Sequence, residues 1–464
     1  MPFSTQSRSS FAIFLTVVVA AGARRPEPLQ IEARVKPRGP WKTYATRILD
    51  HLPDFQPADK PPELGRYGGL RSKRFDATGF FHTRKAGDRR VLVDPEGYLF
   101  LSIGVNSVRP PRRPGPAYQA MVEKFGGRTG WADATTEFLR QNGFNTTGNW
   151  SDNDALGKAE RRLPYTTSMY FVTDFAKKLG LTTPGYGHAK FAESNIPVFH
   201  PDFERWCDEY AGPLAKTRDD PYLLGHFSDN ELPDTRRLLT TTLQIDPDHP
   251  ALKYNREAAW KWFRNRKGND ARAAGATAED NLAWLGRVMD RYYEVTTRAI
   301  RRHDPNHLCL GSRIHGGGKA IPEVIRAAGS HLDVISINYY GHWTPSREWM
   351  KMWAGAGRKP FLITEWYVKG EDTGLENEAG AGWIVRTQAD RGRFYQNWTL
   401  TLLQSKHCVG WHWFKYRDDG RGESKFPSNK GMVSAAFEPY APLVEQMRQL
   451  NSNAYGLTGY FDGR

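Results

Sequence analysis

The sequence predicts a (β/α)8 barrel with a short N-terminal extension and one long insertion after the fourth strand. Strand-like and helix-like runs alternate from residue 98 almost to the end of the 464-residue chain. Eight strands, mostly separated by helices, favour a closed barrel over an open sheet. No G-x-G-x-x-G turn follows the first strand, which argues against a dinucleotide-binding sheet.

The N-terminus has the composition of a signal peptide. Arg8 supplies positive charge, residues 11–20 form an apolar run, and Ala21-Gly22-Ala23 offers a cleavage site. The apolar run is shorter than the roughly 20 residues that span a bilayer, and no later segment is apolar enough to do so. We therefore assign residues 1–23 to a signal peptide. Export to the periplasm or the extracellular space, without a membrane span, is expected.

Residues 24–88 are rich in Pro, Arg and Lys and show little periodicity. They predict an extension laid over the main domain, with a short helix around residues 41–52. The pattern sharpens at Arg89, where residues 90–105 predict two strands joined by a turn at 94–97. Residues 89–464 are therefore assigned to the barrel domain.

The barrel elements follow in chain order. The expected strands cover residues 98–105, 144–150, 165–171, 222–230, 308–314, 333–340, 361–364 and 409–416. The clearest helices cover residues 131–142, 202–216, 281–302, 384–405 and 441–450. Residues 238–280 form a long, charged insertion after the fourth strand. Such insertions lie on the active-site face of a barrel, so this one is expected to shape the substrate groove.

The reactive side chains exclude several classes of enzyme. The three cysteines, Cys207, Cys309 and Cys408, match no zinc or redox spacing, and their odd number argues against a disulfide framework. Cys309 and Cys408 open apolar runs, where buried free thiols are expected. No H-E-x-x-H motif and no G-x-S-x-G motif is present, which argues against a metal hydrolase and an α/β-hydrolase. Neither a metal nor a cofactor is expected.

The chain is basic, with a net charge of +14 and a pI near 9.5. This excess fits either an affinity for polyanions or a solvated basic surface. The basic residues are spread along the chain and no nucleic-acid motif accompanies them, so no nucleic-acid partner is expected. A sulfated or uronic polysaccharide stays open as a partner.

Two carboxylates stand where predicted strands four and seven end. Glu231 closes the run Leu-Leu-Gly-His-Phe-Ser-Asp-Asn-Glu, and Glu365 closes Phe-Leu-Ile-Thr-Glu. Barrel enzymes carry catalytic residues at such strand ends, and strands four and seven lie on opposite sides of the barrel mouth. Either glutamate alone is explained by a salt bridge or a surface position. The two together favour catalysis.

Glycosidic cleavage needs such a pair of carboxyl groups. One carboxylic acid protonates the leaving oxygen, and the other carboxylate attacks or stabilises the oxocarbenium-like centre. The two pKa values must be held apart for these roles. At a separation of about 5–5.5 Å the second carboxylate attacks directly and the anomeric configuration is retained.

The motifs at these strand ends resemble those of clan A glycoside hydrolases: Asp-Asn-Glu at residues 229–231 and Ile-Thr-Glu at 363–365. Within the clan, the chain most resembles the β-agarases of glycoside hydrolase family 50 and agarase-like relatives. The resemblance covers roughly residues 65–450. It rests on the segments 91–106, 148–152, 225–231, 363–366 and 410–416.

The resemblance implies roles for further side chains. Glu231 would be the acid/base, Glu365 the nucleophile, and Asn230 a partner of the sugar 2-hydroxyl. A tyrosine after strand six would contact the nucleophile, and we choose Tyr340 over Tyr339 because Tyr340 shares strand parity with Ser336 and Asn338. The remaining expectations are that Arg313 holds Glu365 ionised, Trp413 forms the sugar platform, and Asn106 and Asn149 line the floor.

The chain departs from the agarases in two places. Only about 65 residues precede the barrel, where those enzymes carry a carbohydrate-binding-like domain, and the basic segment 417–430 does not follow their pattern. Because of these two departures, the resemblance does not identify the sugar that the enzyme would act on. Arg313, Arg417 and Arg421 fit recognition of acidic groups on a polysaccharide as well as a generally basic surface.

The sequence therefore predicts an exported, cofactor-independent, retaining glycoside hydrolase that acts on a β-linked polysaccharide or oligosaccharide, with a galactan as the expected class. Two alternatives share the same residues. A transglycosylase would pass the intermediate to a sugar instead of water. A non-catalytic carbohydrate-binding barrel is disfavoured by the presence of both carboxylates.

Overall fold

The structure, a computed structural model, describes residues 1, 27–57, 60–185 and 188–463. Apart from Met1, the predicted signal peptide of residues 1–23 lies outside the described residues. No helix in the described ranges is both long enough and apolar enough to cross a membrane.

Six short strands precede the barrel. They are β1 (Leu29–Arg34), β2 (Lys42–Thr46), β3 (Leu70–Arg74), β4 (His82–Ala86), β5 (Arg89–Val93) and β6 (Tyr98–Phe100). The helix predicted around residues 41–52 is wrong. This stretch forms β2, which pairs with β1, followed by a single 3-10 turn at Leu49–His51. Thr43, Tyr44 and Thr46 are β-branched or aromatic residues, which prefer a pleated strand.

The remaining strands and helices begin at residue 102. The strands are β7 (Ser102–Val105), β8 (Thr146–Thr147), β9 (Tyr165–Met169), β10 (Thr182–Pro184), β11 (Ala189–Phe191), β12 (Leu223–Ser228), β13 (Leu308–Gly311), β14 (Ile335–Asn338), β15 (Phe361–Glu365), β16 (Val368–Gly370), β17 (Trp383–Val385) and β18 (Cys408–Trp413). The helices are α1 (Pro116–Phe125), α2 (Arg128–Gln141), α3 (Asn153–Leu156), α4 (Phe171–Lys178), α5 (Phe203–Ala211), α6 (Leu238–Leu243), α7 (Lys253–Lys267), α8 (Ala278–His303), α9 (Pro322–His331), α10 (Arg347–Gly357), α11 (Gln388–Leu403) and α12 (Ala441–Phe461).

Eight of these strands form one parallel sheet in the order β13-β12-β9-β8-β7-β18-β15-β14. The two ends of the sheet meet through a parallel bridge between Ile314 and Ile337, which closes the ring. The predicted (β/α)8 barrel is confirmed. In chain order, β12 is its fourth strand, β13 its fifth, β14 its sixth, β15 its seventh and β18 its eighth.

The first two barrel strands differ from their predicted bounds. The predicted strand 98–105 divides into β6, which belongs to a separate antiparallel sheet, and β7, which belongs to the barrel. The predicted strand 144–150 is reduced to the two residues of β8. Just before β8, Asn145 bonds to the first strand through its backbone and its side chain, which accepts from the backbone of Ile103 and donates to that of Leu101.

The sheet β3-β6-β5-β4 covers the end of the barrel opposite the strands' C-termini. Its side chains share a core with residues near the starts of barrel strands; this core includes Phe81, Leu92, Phe100, Leu224, Leu308, Val334, Leu362 and Val409. The predicted turn at 94–97 is present between β5 and β6. β4 pairs with β5 across the predicted boundary between residues 88 and 89.

The sheet β16-β17-β1-β2 joins the N-terminal segment to the loop after the seventh barrel strand. β1 is an inner strand of this sheet, with Ala33 opposite Val385 and Ile31 opposite Tyr44. Ile31 and Ala33 are buried. The segment before the barrel thus fixes the loop that begins directly after Glu365.

The insertion at residues 238–280 carries α6 and α7 and packs against α8. Its side chains also hold the chain that follows the β10–β11 hairpin. Thr242 Oγ1 donates to Asn195 Oδ1 over 2.8 Å, and Asn255 Nδ2 donates to the Ile196 carbonyl over 2.8 Å. The three cysteines are buried and free, so the thiol prediction is confirmed.

Candidate active site

The two predicted catalytic carboxylates meet at the mouth of the barrel. Glu365 is the last residue of β15, and Glu231 lies three residues after β12. Asn338, the last residue of β14, lies between them. Its Nδ2 is 2.7 Å from Glu231 Oε1 and 3.5 Å from Glu365 Oε2. Glu231 Oε1 and Glu365 Oε2 are therefore no farther apart than the sum of these two distances.

Glu365 is held by charged and neutral donors at both oxygens. Arg313 Nη2 donates to Glu365 Oε2 over 2.8 Å, and the Tyr340 hydroxyl donates to Glu365 Oε1 over 2.7 Å. The neighbouring Tyr339 is instead buried beside α10, where its hydroxyl accepts from the Ser346 amide. Strand alternation thus turns Tyr340 and Tyr339 to different sides, with Tyr340 in the site.

Arg313 connects both catalytic strands. It is fully buried, and besides Glu365 it donates to Asn230 Oδ1 over 2.8 Å and to the Thr364 carbonyl over 2.9 Å. Glu365 is the one anion among these three partners. A buried cation without an anion is strongly unfavourable, so Arg313 favours the ionised form of Glu365.

The protonation of the two carboxyl groups is linked. Burial raises the pKa of Glu365, Arg313 opposes that rise, and the negative charge of Glu231 adds to it. Burial also opposes ionisation of Glu231, but His188, His315 and Asn338 together lower the pKa of Glu231 below its ordinary value. The two pKa values are therefore held apart, but with that of Glu365 raised and that of Glu231 lowered, the reverse of the order that an acid/base at Glu231 requires.

Two histidines flank Glu231 on the side away from Glu365. His188 Nδ1 lies 3.3 Å from Glu231 Oε2, and the rings of His188 and His315 are 5.2 Å apart. One ligand atom from each of these three residues lies within 4.8 Å of the others, so they are residues that could hold a divalent metal ion. Sequence spacing missed this group because its members come from three separate loops.

The strand ends that carry the site have a strained backbone. Trp150, Asp229, Glu231 and Arg313 all have positive φ, between 52° and 73°. Such conformations cost about 1–3 kcal/mol each outside glycine and persist where the surroundings fix them. Buried Asp229 is fixed in this way, because its carboxylate accepts from the amides of Val172 and Thr173 and from the Tyr292 hydroxyl.

Asn106 and Asn149, which the family resemblance assigned to the floor of the site, are both buried just after β7 and β8. Asn106 is fully buried and donates to the carbonyl of Thr364 over 2.8 Å, directly below Glu365. Asn149 accepts from Ser168 Oγ. Gly148 is needed between them, because a Cβ at this position would collide with Asn106 Oδ1.

Trp413 does not form the predicted sugar platform. Its ring has no exposed surface, packs edge-on against Trp366 at 5.1 Å, and donates to the Lys430 carbonyl. A ring without an accessible face cannot stack on a sugar. Trp150 is the partly exposed indole at the site, and its ring lies 4.4 Å from the Arg313 guanidinium carbon.

Arg417 and Arg421, for which recognition of acidic groups and a generally basic surface both stayed open, are engaged in ion pairs within the protein. Arg417 makes a two-pronged ion pair with Glu423, at 2.8 and 2.9 Å. Arg421 pairs with Glu376 at 3.1 Å and donates to a backbone carbonyl. Both charges are therefore compensated within the protein.

Comparison with known proteins places these residues in a family. No family model matches the chain. It is 25% identical to β-agarase B of Vibrio sp. (strain JT0107), over 85% of this chain and 50% of that protein. It is also 25% identical to β-agarase A of the same strain, over 79% of this chain and 44% of that protein. The chain thus spans about half the length of these two agarases.

Solved structures give a more complete match. The crystal structure of BpGH50 is 33% identical and superposes with a TM-score of 0.83, over 94% of this chain and 96% of that one. The structure of an exo-β-agarase, 21% identical, shares the fold with a TM-score of 0.71, over 86% of this chain and 69% of that one. Because the match to BpGH50 spans nearly the full length of both chains, this protein belongs to glycoside hydrolase family 50.

Proposed function

We propose that the protein is a retaining glycoside hydrolase that cleaves β-glycosidic bonds in a galactan-type polysaccharide or oligosaccharide. One observation carries the proposal: the Asn338 amide nitrogen contacts both carboxylates. These two contacts keep Glu231 Oε1 and Glu365 Oε2 closer together than about 6.5 Å, which is the smallest carboxyl separation typical of inverting enzymes. Inverting enzymes need room for an attacking water between one carboxylate and the sugar, and a separation below their range supports direct attack instead.

The proposed reaction is a double displacement. Glu365 attacks the anomeric carbon while Glu231 gives its proton to the departing oxygen, and a glycosyl ester forms on Glu365. Glu231, now ionised, takes a proton from water, which attacks the same carbon and releases Glu365. Arg313 and Tyr340 fix the attacking carboxylate in one orientation throughout.

The reaction requires the proton on Glu231, whereas in the structure the pKa of Glu365 is raised and that of Glu231 is lowered, and Arg313 is the contact that opposes this order. A proton on Glu231 removes the negative charge that opposes ionisation of Glu365. Ionised Glu365 then compensates the buried charge of Arg313. The two carboxyl groups therefore act as one coupled pair that shares a single proton over a range of pH, and their apparent pKa values belong to the pair.

The substrate class is inferred from the relatives and from the side chains at the mouth. The two curated relatives are named β-agarases, which points to a galactan. Asn230, whose Oδ1 accepts from Arg313, would contact the sugar 2-hydroxyl. Trp150 offers an indole face for a sugar ring in place of Trp413.

Glu365→Gln tests this proposal, because it removes the nucleophile and nearly preserves shape. We expect turnover on agarose and other β-galactans to fall by at least about a thousandfold. Polysaccharide binding and the unfolding midpoint should stay close to those of the wild type. Glu348→Gln, on the exposed side of α10, is the matched control. Near wild-type turnover of Glu365→Gln would rule out the assignment.

The location and domain layout are also proposals. The composition of residues 1–23 supports export to the periplasm or beyond, and the mass of the protein recovered from cells would show whether that segment is removed. We take residues 89–464 as the catalytic barrel. Residues 24–88 then form an extension that adds strands to two flanking sheets.

A further inference from the structure

Beside the carboxylate pair, the loops that follow β7 and β18 enclose a cleft of about 780 Å³. Its walls come from residues 107–120, residues 415–423 and the pair Ala435 and Ala436. The cleft begins next to the catalytic floor, because Ser107 directly follows Asn106, which holds the strand that carries Glu365. Its volume is within the roughly 300–1,000 Å³ of pockets that bind small molecules.

The cleft has a strong excess of positive charge. Six basic side chains line it and two acidic ones; the basic ones are Arg109, Arg112, Arg113, Lys415, Arg417 and Arg421, and the acidic ones are Asp419 and Glu423. The three basic residues after β18 are compensated. Lys415 pairs with Asp419 at 2.5 Å, Arg417 with Glu423 at 2.8 Å, and Arg421 with Glu376 at 3.1 Å.

The three arginines after β7 have no such partners. Arg109, Arg112 and Arg113 are exposed and make no side-chain hydrogen bond or ion pair with any residue in the described ranges. They belong to the stretch Arg-Pro-Pro-Arg-Arg-Pro, in which each proline ring restricts the backbone. The guanidinium groups are thus carried by a stiff segment, which lowers the entropy lost when they bind a ligand.

The cleft also has a surface suited to a sugar ring. Tyr118, at the start of α1, lines it and is 39% exposed, which is unusual for a large aromatic side chain in this protein. The apolar face of a pyranose packs on such a ring. Exposed tyrosine and uncompensated guanidinium groups in one cleft favour an anionic saccharide over a free inorganic anion.

We propose that this cleft is a subsite for an anionic sugar unit, in which Arg109, Arg112 and Arg113 bind a sulfate ester or carboxylate of the polysaccharide whose neighbouring bond is cleaved. Guanidinium groups recognise such oxyanions through paired donors. The inference rests on the proposed function, because it needs a polysaccharide that extends from the cleft to the carboxylate pair.

The experiment compares binding of a sulfated galactan, its chemically desulfated form and a polyuronate. Calorimetric titration in the Glu365→Gln background separates binding from cleavage. Adding Arg112→Ala and Arg113→Ala is expected to weaken binding of the anionic polymer by at least about tenfold. Binding of the desulfated polymer should weaken much less. The double substitution should also reduce the salt dependence of binding, since exposed charges are screened.

The control pair is Arg71→Ala with Lys85→Ala, which removes the same charge from exposed strands at the opposite end of the barrel. Selective loss for the sulfated polymer supports a sulfate subsite, and selective loss for the polyuronate supports a carboxylate subsite. Equal affinity for charged and desulfated polymers, or an equal loss in the control pair, overturns the proposal. Whether the wild type hydrolyses neutral galactan tests the proposed function separately from the anionic subsite.

Discussion

At the scale of single residues, the site is organised around one buried cation. Arg313 contacts Glu365, Asn230 and the Thr364 carbonyl, and thereby ties the ends of the fourth, fifth and seventh barrel strands together. Its charge favours ionisation of Glu365 against the effects of burial and of the negative charge on Glu231. Asn338 then positions the second carboxylate relative to the first, so one cation and one amide define the geometry of the pair.

Glu231→Ala should separate the two chemical steps. With an aryl glycoside whose leaving group needs no protonation, formation of the glycosyl ester should be slowed far less than its hydrolysis. Added azide, which needs no general base, should restore turnover and yield a glycosyl azide of retained configuration. Steady-state rates and product NMR measure this. Equal losses on activated and natural substrates, with no effect of azide, would exclude Glu231 as the acid/base.

His188→Ala should move the alkaline limb of the kcat/KM profile to higher pH. His188 lowers the pKa of Glu231, so its removal destabilises the carboxylate and keeps the proton on the pair to higher pH. A shift of about half a unit to one unit is expected. His82→Ala, on the sheet at the opposite end of the barrel, serves as the control. If the alkaline limb stayed at the same pH or moved to lower pH, His188 would not be lowering the pKa of Glu231.

The residue scale also shows what sequence can and cannot predict. Glu231, Glu365 and Tyr340 could be located because strand ends and strand alternation are local properties. The role of Trp413 rested on the family resemblance, and its ring turns into the core against Trp366. His188 and His315 could not be found, since only the folded chain brings their loops to Glu231.

At the scale of elements, the end of the fourth barrel strand is fixed by a contact with a helix. The Asp229 carboxylate accepts from two amides in the first turn of α4, where a negative charge is favoured. Burial raises the pKa of Asp229 to about 6. This contact holds the strained backbone that projects Glu231 into the site.

Asp229→Ala should therefore reduce both stability and activity. Three buried donors lose their acceptor, so the free energy of unfolding should fall on the order of 3 kcal/mol. Asp229→Asn keeps one acceptor oxygen and should cost less. Asp219→Ala, whose side chain is 78% exposed, should change stability by less than about 0.5 kcal/mol. Urea denaturation measures these free energies of unfolding. An Asp229→Ala variant as stable as the control would contradict the role of Asp229 in fixing the strand end.

Helices and strands with strong periodicity were predictable, and short pieces were not. The predicted helix 281–302 lies within α8, because its apolar residues recur regularly, whereas the first residues of α8, next to the Thr277–Asp280 capping box, were assigned to the insertion. The strands β1 and β2 were missed. They pair with each other, but β1 also pairs with β17, where Ala33 lies opposite Val385, and no local pattern in the sequence reports that distant contact.

At the scale of the whole molecule, the two ends of the barrel have different roles. One end is closed by the sheet β3-β6-β5-β4, whose apolar side chains seal the starts of the strands. The other end carries the carboxylate pair and the basic cleft. The fold class followed from the alternation of strands and helices, and so did the turn between β5 and β6 of the closing sheet, whereas β3 and β4 did not, because they are short and mostly polar.

The stereochemistry of cleavage tests the central claim most directly. Proton NMR can follow the first turnover of a β-linked galactan oligosaccharide, before the new reducing end mutarotates. A carboxylate pair this close should release the β-anomer first, with the α-anomer appearing only at the rate of mutarotation. First release of the α-anomer would contradict direct attack by Glu365 and, with it, the assignment of the pair.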